Sequence, residues 1–280
     1  MTVPGTVGVY GGGRMGAGIA HAFLLAGAEV TIIEANEPAV NAARGRVHSS
    51  VAKAGERGNL TVAPADILAR LTVTQETAAL GACRLVVEAV PEIVELKATV
   101  LHQIEELAPQ AAVATNTSAL SIRQLAAGLT RPEMFLGLHF FNPVPASELV
   151  EIVVGDQTNP RLVHEAQEWI AGLGKTAITV KDSPGFASSR LGVAIALEAM
   201  RMVEEGVASA ADIDTAMTLG YKHPVGPLRT TDIVGLDVRL AIAETLAREV
   251  SPRFEPPTIL RQKVADGHLG RKAGQGFYTW

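Results

Sequence analysis

The sequence predicts an α/β protein: a doubly wound parallel sheet with helices on both faces, followed by a smaller all-α domain. Three observations carry this. Over the first 180 residues short β-branched runs alternate with helical patterns, the alternation that builds a parallel sheet. A glycine-rich loop, residues 11–16, joins the first such run to the first helical pattern. After Lys181-Asp182-Ser183-Pro184-Gly185, where Ser-Pro-Gly breaks regular structure, the chain reads as helices.

Taken in order, strands are expected at 6–10 (TVGVY), 29–34 (EVTIIE), 84–88 (RLVVE), 111–115 (AAVAT), 134–140 (MFLGLHF), 149–154 (LVEIVV) and 176–180 (TAITV). The first helix is expected from Met15 to Leu25. A second covers 92–107, where Val94, Leu96, Val100, Leu101, Ile104 and Leu107 recur at mostly helical spacing, and a third covers 159–173. Past the break, 186–206 is an Ala/Leu/Met-rich helix ending at Gly206, and Ser209 followed by Asp212 marks a capped start near 210. Two more helices are expected at 232–250 and 256–266. The domains are therefore 1–185 and 186–280. The second is too small to bury all its apolar faces alone, so a homodimer through it is expected.

Composition narrows the function. Lys and Arg number 24 against 29 Asp and Glu, a net charge of -5, which argues against nucleic acid or a membrane surface as partner. Hydrophobic residues make up 48% and charged ones only 19%, which excludes a disordered chain. The start, MTVPGTVGVYGGG, lacks the pattern of a signal peptide, and no long apolar run suits a membrane span. Cys83 stands alone, which excludes an intramolecular disulfide and a Cys-rich zinc site and suits a reducing compartment. The expected location is cytoplasmic.

Gly11-Gly12-Gly13-Arg14-Met15-Gly16 satisfies G-x-G-x-x-G after a strand and before a helix. In that setting Gly11 permits a tight turn, Gly13 lets backbone approach a pyrophosphate, and Gly16 lets helix pack on strand. The phosphates then sit on the helix N-terminus. Glu34 closes the second strand, 18 residues past Gly16, where a carboxylate accepts ribose hydroxyls and repels a 2′-phosphate. Strand, loop and acid together read as a Rossmann-type site for NAD rather than NADP.

None of the seven histidines has the spacing of a zinc site, so no metal is implied. His21, His48, His102, His164, His223 and His268 read as solvated or capping imidazoles. His139 differs, because it lies at the end of an apolar strand, where ligands of parallel sheets bind. Glu151 sits in the next strand, where a buried carboxylate needs a partner. As partners, Glu151 fixes the tautomer of His139 and makes it a better proton acceptor for a substrate alcohol. Strand position alone equally admits a core histidine satisfied by a carboxylate.

Arg44, Arg46, Lys53 and Arg57 lie in one stretch whose sole acid is Glu56, although residues 1–180 carry 12 basic against 17 acidic residues. Such a run is either an anion site or a solvated helix face. Gly55 and Gly58 argue against continuous helix there.

The motifs GGGRMGAGIAHAF (11–23), VVEAVPEIVELK (86–97), TNTSALSI (115–122), GLHFFNPVPASELVEIV (137–153), DSPGFASSRL (182–191), ADIDTAMTLGYKHPVGP (211–227) and GRKAGQGFY (270–278) span nearly the whole chain. In order and content they resemble the short-chain 3-hydroxyacyl-CoA dehydrogenases, bacterial 3-hydroxybutyryl-CoA dehydrogenases in particular. The resemblance implies an NAD-binding domain, a helical domain that dimerises, and an acyl-CoA bound in the cleft between them. It places the catalytic pair on His139 and Glu151 and the serine contacting the substrate oxygen on Ser118. By position alone Ser118 is equally a turn or helix-cap hydroxyl. The nicotinamide-ribose contacts fall on Glu92 and Lys97, which by spacing alone are ordinary surface charges. Lys53 and Arg57 fall near the CoA phosphates, and Asn142 with Pro143 forms a turn shaping the cleft.

Three departures stand out. Ser189 occupies the place of the family's substrate-holding Asn, and its shorter hydroxyl favours a water-mediated contact. Arg14 replaces a small polar residue in the glycine loop and offers a further pyrophosphate contact. Glu34 replaces the usual aspartate at the ribose. The expected activity is NAD-dependent interconversion of an (S)-3-hydroxyacyl-CoA and a 3-oxoacyl-CoA. Two alternatives are a related dehydrogenase of a non-CoA hydroxy acid and a non-catalytic NAD(H)-binding protein.

Overall fold

The computed structural model describes residues 3–280, which divide into two compact units, the second beginning at Ser183. In the first, eight strands form one sheet: Thr6–Tyr10 (β1), Glu29–Ile33 (β2), Leu71–Thr74 (β3), Leu85–Glu88 (β4), Ala112–Thr115 (β5), Phe135–Phe140 (β6), Leu149–Val154 (β7) and Thr176–Lys181 (β8). Their spatial order is β3-β2-β1-β4-β5-β6-β7-β8, reversing direction from β1 as a doubly wound sheet does. The helices of this unit are Arg14–Leu25 (α1), Glu37–Glu56 (α2), Pro64–Leu68 (α3), Val94–Leu107 (α4), Ile122–Ala126 (α5) and Pro160–Gly172 (α6). Val7, Val9, Ile32, Val87, Ala114 and Leu138 share one core with Ile19, Phe23, Val47 and Ile170 from the helices.

Four differences from the sequence expectations have physical reasons. β3 was not expected; it is only four residues long and sits at the sheet edge against β2. β7 runs antiparallel to β6, because the eight residues between them are too few for a crossover helix. β8 then pairs parallel to β7. The helix doubted over Lys53 is continuous: α2 runs 20 residues through Gly55, held inward by Val40, Ala43, Val47, Val51 and Ala54, and the chain turns only at Gly58 with φ +70°. The helix expected at 232–250 is two helices in the second unit, broken at Gly235 with φ +112°.

That second unit consists of Ser188–Glu204 (α7), Ala210–Thr215 (α8), Pro227–Val234 (α9), Leu236–Glu249 (α10) and Thr258–Ala265 (α11). Ser209 caps α8 by accepting from the Asp212 amide at 3.2 Å, as its spacing predicted. Val193, Leu197, Met200, Ile213, Leu228, Leu246 and Leu260 form a separate core. The C-terminal residues are tied down by two buried carboxylates. Asp232 accepts from the amides of Phe277 and Tyr278 and from Trp280 Nε1 at 2.8–2.9 Å. Asp214 accepts from the amides of Leu228 and Arg229 and from the Tyr278 hydroxyl at 2.7–2.9 Å.

Candidate active site

The glycine loop is built for close approach. Gly11 has φ +96°, and its amide donates to Ile33 O at 2.9 Å. A Cβ at Gly16 would stand 1.8 Å from Gly11 O, so only glycine lets α1 start this near the loop. At Gly13 a Cβ would meet nothing within 4 Å. Gly13 is the N-cap of α1; no side chain caps that end, and its first turn carries no acid. These first-turn amides and the open space beside Gly13 suit a pyrophosphate. Glu34 reaches back from the end of β2, its Oε1 accepting from the Gly12 amide at 2.7 Å. Its carboxylate is half-buried beside the loop, where a ribose would lie.

His139 and Glu151 lie directly opposite each other on the antiparallel β6–β7 ladder. Nδ1 of His139 is 2.7 Å from Oε2 of Glu151. The imidazole is 4% exposed and Glu151 fully buried. Phe141 packs on the imidazole with ring centroids 4.5 Å apart. The carboxylate on Nδ1 fixes the orientation of the imidazole at the end of the strand.

Glu92 and Lys97 are not ordinary surface charges. Lys97 is completely buried, its Nζ donating to both oxygens of buried Glu88, at 2.8 and 3.0 Å, and to Val90 O at 3.2 Å. It also lies 3.4 Å from Glu92, whose other oxygen accepts from Thr117 Oγ1 and the Ser118 amide. Helical spacing had pointed Leu96 inward, yet Leu96 is exposed and α4 turns Lys97 to the sheet instead. Glu88, at the end of β4, is the residue that sequence reasoning missed; it also accepts from Thr115 Oγ1 at 2.6 Å. Its signal was a carboxylate closing an otherwise apolar strand. Ser118 is not the turn's cap, because Thr117 Oγ1 takes the Leu120 amide and Ser121 caps α5. The exposed Ser118 follows β5 within the same unit as His139.

A groove of about 850 Å³ lies beside the glycine loop, between α1, α2 and the β6–β7 loop. Arg14, Arg46, Lys53 and Arg57 line it together with Asn142, and among the described residues no Asp or Glu does. The groove is thus a cationic trough suited to an anion. Arg44 departs from the cluster: it bonds Asn41 and Val73 O instead. His21, expected to be solvated or capping, is 3% exposed at the groove wall, with Nδ1 lacking a hydrogen-bond partner. Burial, with Lys175 nearby, lowers its pKa to about 4. Gly18 lets the loop descend onto α1, since a Cβ there would stand 2.9 Å from Val144 Cβ. Ser189 is the second residue of α7, in the other unit.

Residues 6–183 match the 3-hydroxyacyl-CoA dehydrogenase NAD-binding domain, and residues 185–280 match the C-terminal domain of the same family. The chain belongs to the 3-hydroxyacyl-CoA dehydrogenase family. It is 40% identical to the 3-hydroxybutyryl-CoA dehydrogenase of Mycobacterium tuberculosis over 279 residues, covering 98% of each chain. With the 3-hydroxyadipyl-CoA dehydrogenase of Escherichia coli identity is 37%, over 98% of this chain and 59% of that one. The crystal structure of the (S)-3-hydroxybutyryl-CoA dehydrogenase from Ralstonia eutropha superposes with a TM-score of 0.95 at 40% identity, covering 99% of both chains. Family membership makes NAD the cofactor, and the glycine loop with Glu34 fits it. Among the described residues no helix is long and apolar enough to cross a membrane.

Proposed function

We propose that this chain interconverts short-chain (S)-3-hydroxyacyl-CoAs, such as 3-hydroxybutyryl-CoA, and the corresponding 3-oxoacyl-CoAs. The observation that carries this reading is the buried His139–Glu151 pair, 2.7 Å apart on one rung of the ladder. In oxidation Nε2 of His139 takes the proton from the C3 hydroxyl, and Glu151 stabilises the imidazolium. Bound NAD supplies the hydride acceptor. Ser118 orients the substrate oxygen, a role the reading extends to Ser189. Glu92 contacts the nicotinamide ribose, while Lys97, saturated by Glu88, holds Glu92 in position. Gly11, Gly13, Arg14, Met15 and Gly16 hold the pyrophosphate, and Glu34 holds the adenosine ribose. Lys53 and Arg57, with Asn142 on the same groove, hold the CoA phosphates.

The reading includes a homodimer through the second unit, supported by its exposed Leu191, Ile195, Ile233, Val234 and Val238. It also includes a cytoplasmic location without nucleic-acid or membrane partners, consistent with a lone, buried Cys83 whose thiol burial pushes up to about 11. The test is NADH oxidation with acetoacetyl-CoA, longer 3-oxoacyl-CoAs and free acetoacetate compared side by side. Turnover of acetoacetyl-CoA and none of free acetoacetate is expected, with NADH used at lower KM than NADPH. Equal turnover of the free acid would overturn the CoA assignment.

A further inference from the structure

A buried carboxylate that the proposed chemistry does not use closes β4. Both oxygens of Glu88 are satisfied: Oε1 accepts from the Val90 amide at 2.7 Å and Lys97 Nζ at 2.8 Å, and Oε2 from Lys97 Nζ at 3.0 Å and Thr115 Oγ1 at 2.6 Å. Glu88 and Lys97 are both fully buried, and the side chain of Glu92, 3.4 Å from Lys97 Nζ, is 40% exposed. Glu92 accepts in turn from Thr117 Oγ1 and from the amides of Ser118 and Ala119. Among the described residues Lys97 is the sole cation in ion-pair reach of either carboxylate. Two carboxylates thus face one ammonium, and the cluster keeps one negative charge. A structural ion pair would be complete without the third member.

The sheet sets the place of this charge. Glu88 stands beside Tyr10 of β1 and Thr115 of β5, at the carboxyl end of β4. β1 and β4 flank the point at which strand order reverses, and dinucleotides bind outside the strand ends there. The glycine loop packs on the residue after Glu88, since a Cβ at Gly11 would stand 3.0 Å from Ala89 O. With the adenosine ribose at Glu34, on the β2 side of the loop, the nicotinamide falls to the β4 side. Charge effects reach further in such buried surroundings than between exposed groups.

We propose that the cluster of Glu88, Lys97 and Glu92 discriminates between the two oxidation states of the cofactor, its residual charge favouring the cationic nicotinamide of NAD+ over the neutral ring of NADH. This rests on the reading above that Glu92 contacts the nicotinamide ribose. Glu88 touches neither substrate nor cofactor and is a positioning residue: by neutralising Lys97 it leaves the charge of Glu92 uncompensated. With position 88 neutral, Lys97 would cancel Glu92 and the bias would vanish. The consequence is directional. When hydride passes from NADH to C3 of a 3-oxoacyl-CoA and His139 supplies the proton to the oxygen, a neutral ring becomes cationic beside the cluster, so the bound reaction leans toward reduction relative to cofactor free in water.

The experiment measures two dissociation constants for each protein in the absence of acyl-CoA, that of NADH from nicotinamide fluorescence and that of NAD+ by displacement of NADH. Glu88→Gln keeps the side-chain shape and neutralises the cluster; it should raise the Kd of NAD+ about threefold or more relative to that of NADH. Glu88→Gln combined with Lys97→Met removes the buried pair and restores one negative charge through Glu92, so the ratio of the two constants should return to within about twofold of wild type, whatever happens to each constant separately. Lost packing alone weakens both oxidation states together and leaves their ratio in place. An unchanged ratio in Glu88→Gln therefore overturns the proposal. So does a ratio that stays displaced in the double variant, which carries no unmatched buried charge and covers the case in which Glu88→Gln alone does not fold. Wild-type affinity for both cofactor forms in Glu92→Ala defeats instead the placement of Glu92 at the ribose, and the proposal with it.

Discussion

Both units bury charged side chains, but they pair them differently. In the first, His139 meets Glu151 and Lys97 meets Glu88, so titratable groups face one another at or near the ends of β6 and β4. In the second, Asp214 and Asp232 are met chiefly by backbone amides and by the ring donors of Tyr278 and Trp280. A carboxylate held by amides has nothing to exchange a proton with and acts as a clamp. One held against an imidazole at a strand end can take part in proton transfer. The partner, more than the burial, separates chemistry from architecture.

Substitutions test that separation. The largest expected effect is that of His139→Gln, which should lower kcat by about 10³-fold or more with melting temperature and NADH affinity near wild type. Steady-state kinetics beside a thermal melt checks it; a fall in stability with kcat retained would move the pair to the architectural class. Asp232→Ala should do the reverse. Losing three hydrogen bonds to a buried carboxylate should cost about 3 kcal/mol in urea unfolding, with kcat per folded molecule little changed.

His21 sharpens the comparison, being a buried titratable group of the first unit assigned no chemistry. Its folded-state pKa is about 4 against an ordinary 6.5. Between those values the unfolded chain binds more protons than the folded one. Stability from this group is therefore complete above about pH 6.5 and declines as pH falls toward 4, by roughly 2 to 3 kcal/mol. His21→Gln should flatten this part of the stability profile between pH 7 and 4.5, and an unchanged slope would assign the loss to other groups. The smallest effect is expected from Lys53→Gln with Arg57→Gln, both exposed: a rise of about tenfold in KM for acetoacetyl-CoA, diminishing with salt.

The glycine loop was legible in the sequence because Gly11, with its positive φ, and Gly16, pressed on Gly11 O, answer backbone demands that other residues do not meet. The His139–Glu151 partnership was legible because buried strands leave a carboxylate few places to go. Its exact rung was not, since the antiparallel turn into β7 follows from linker length and not from strand composition. Lys97 escaped helical periodicity because Glu88, nine residues earlier, turns a charged position inward. His21 escaped because the charge that bears on it, Lys175, is distant in sequence. Gly55 and Gly235 show the limits of glycine as punctuation: α2 runs through the first on the strength of its buried face, and the second breaks an otherwise helical stretch.

The short antiparallel hairpin carries one further consequence. Because the ladder itself fixes His139 opposite Glu151, residues 142–146 are free to wall the cationic groove. Insertions and recoding in that segment can therefore retune which anion is gripped while the proton-handling rung keeps its spacing. A shift of one residue in strand register, by contrast, would turn Glu151 to the opposite face of the sheet. Variation that alters ligand preference thus has a permitted place, and variation that would erase reactivity is confined to the strands.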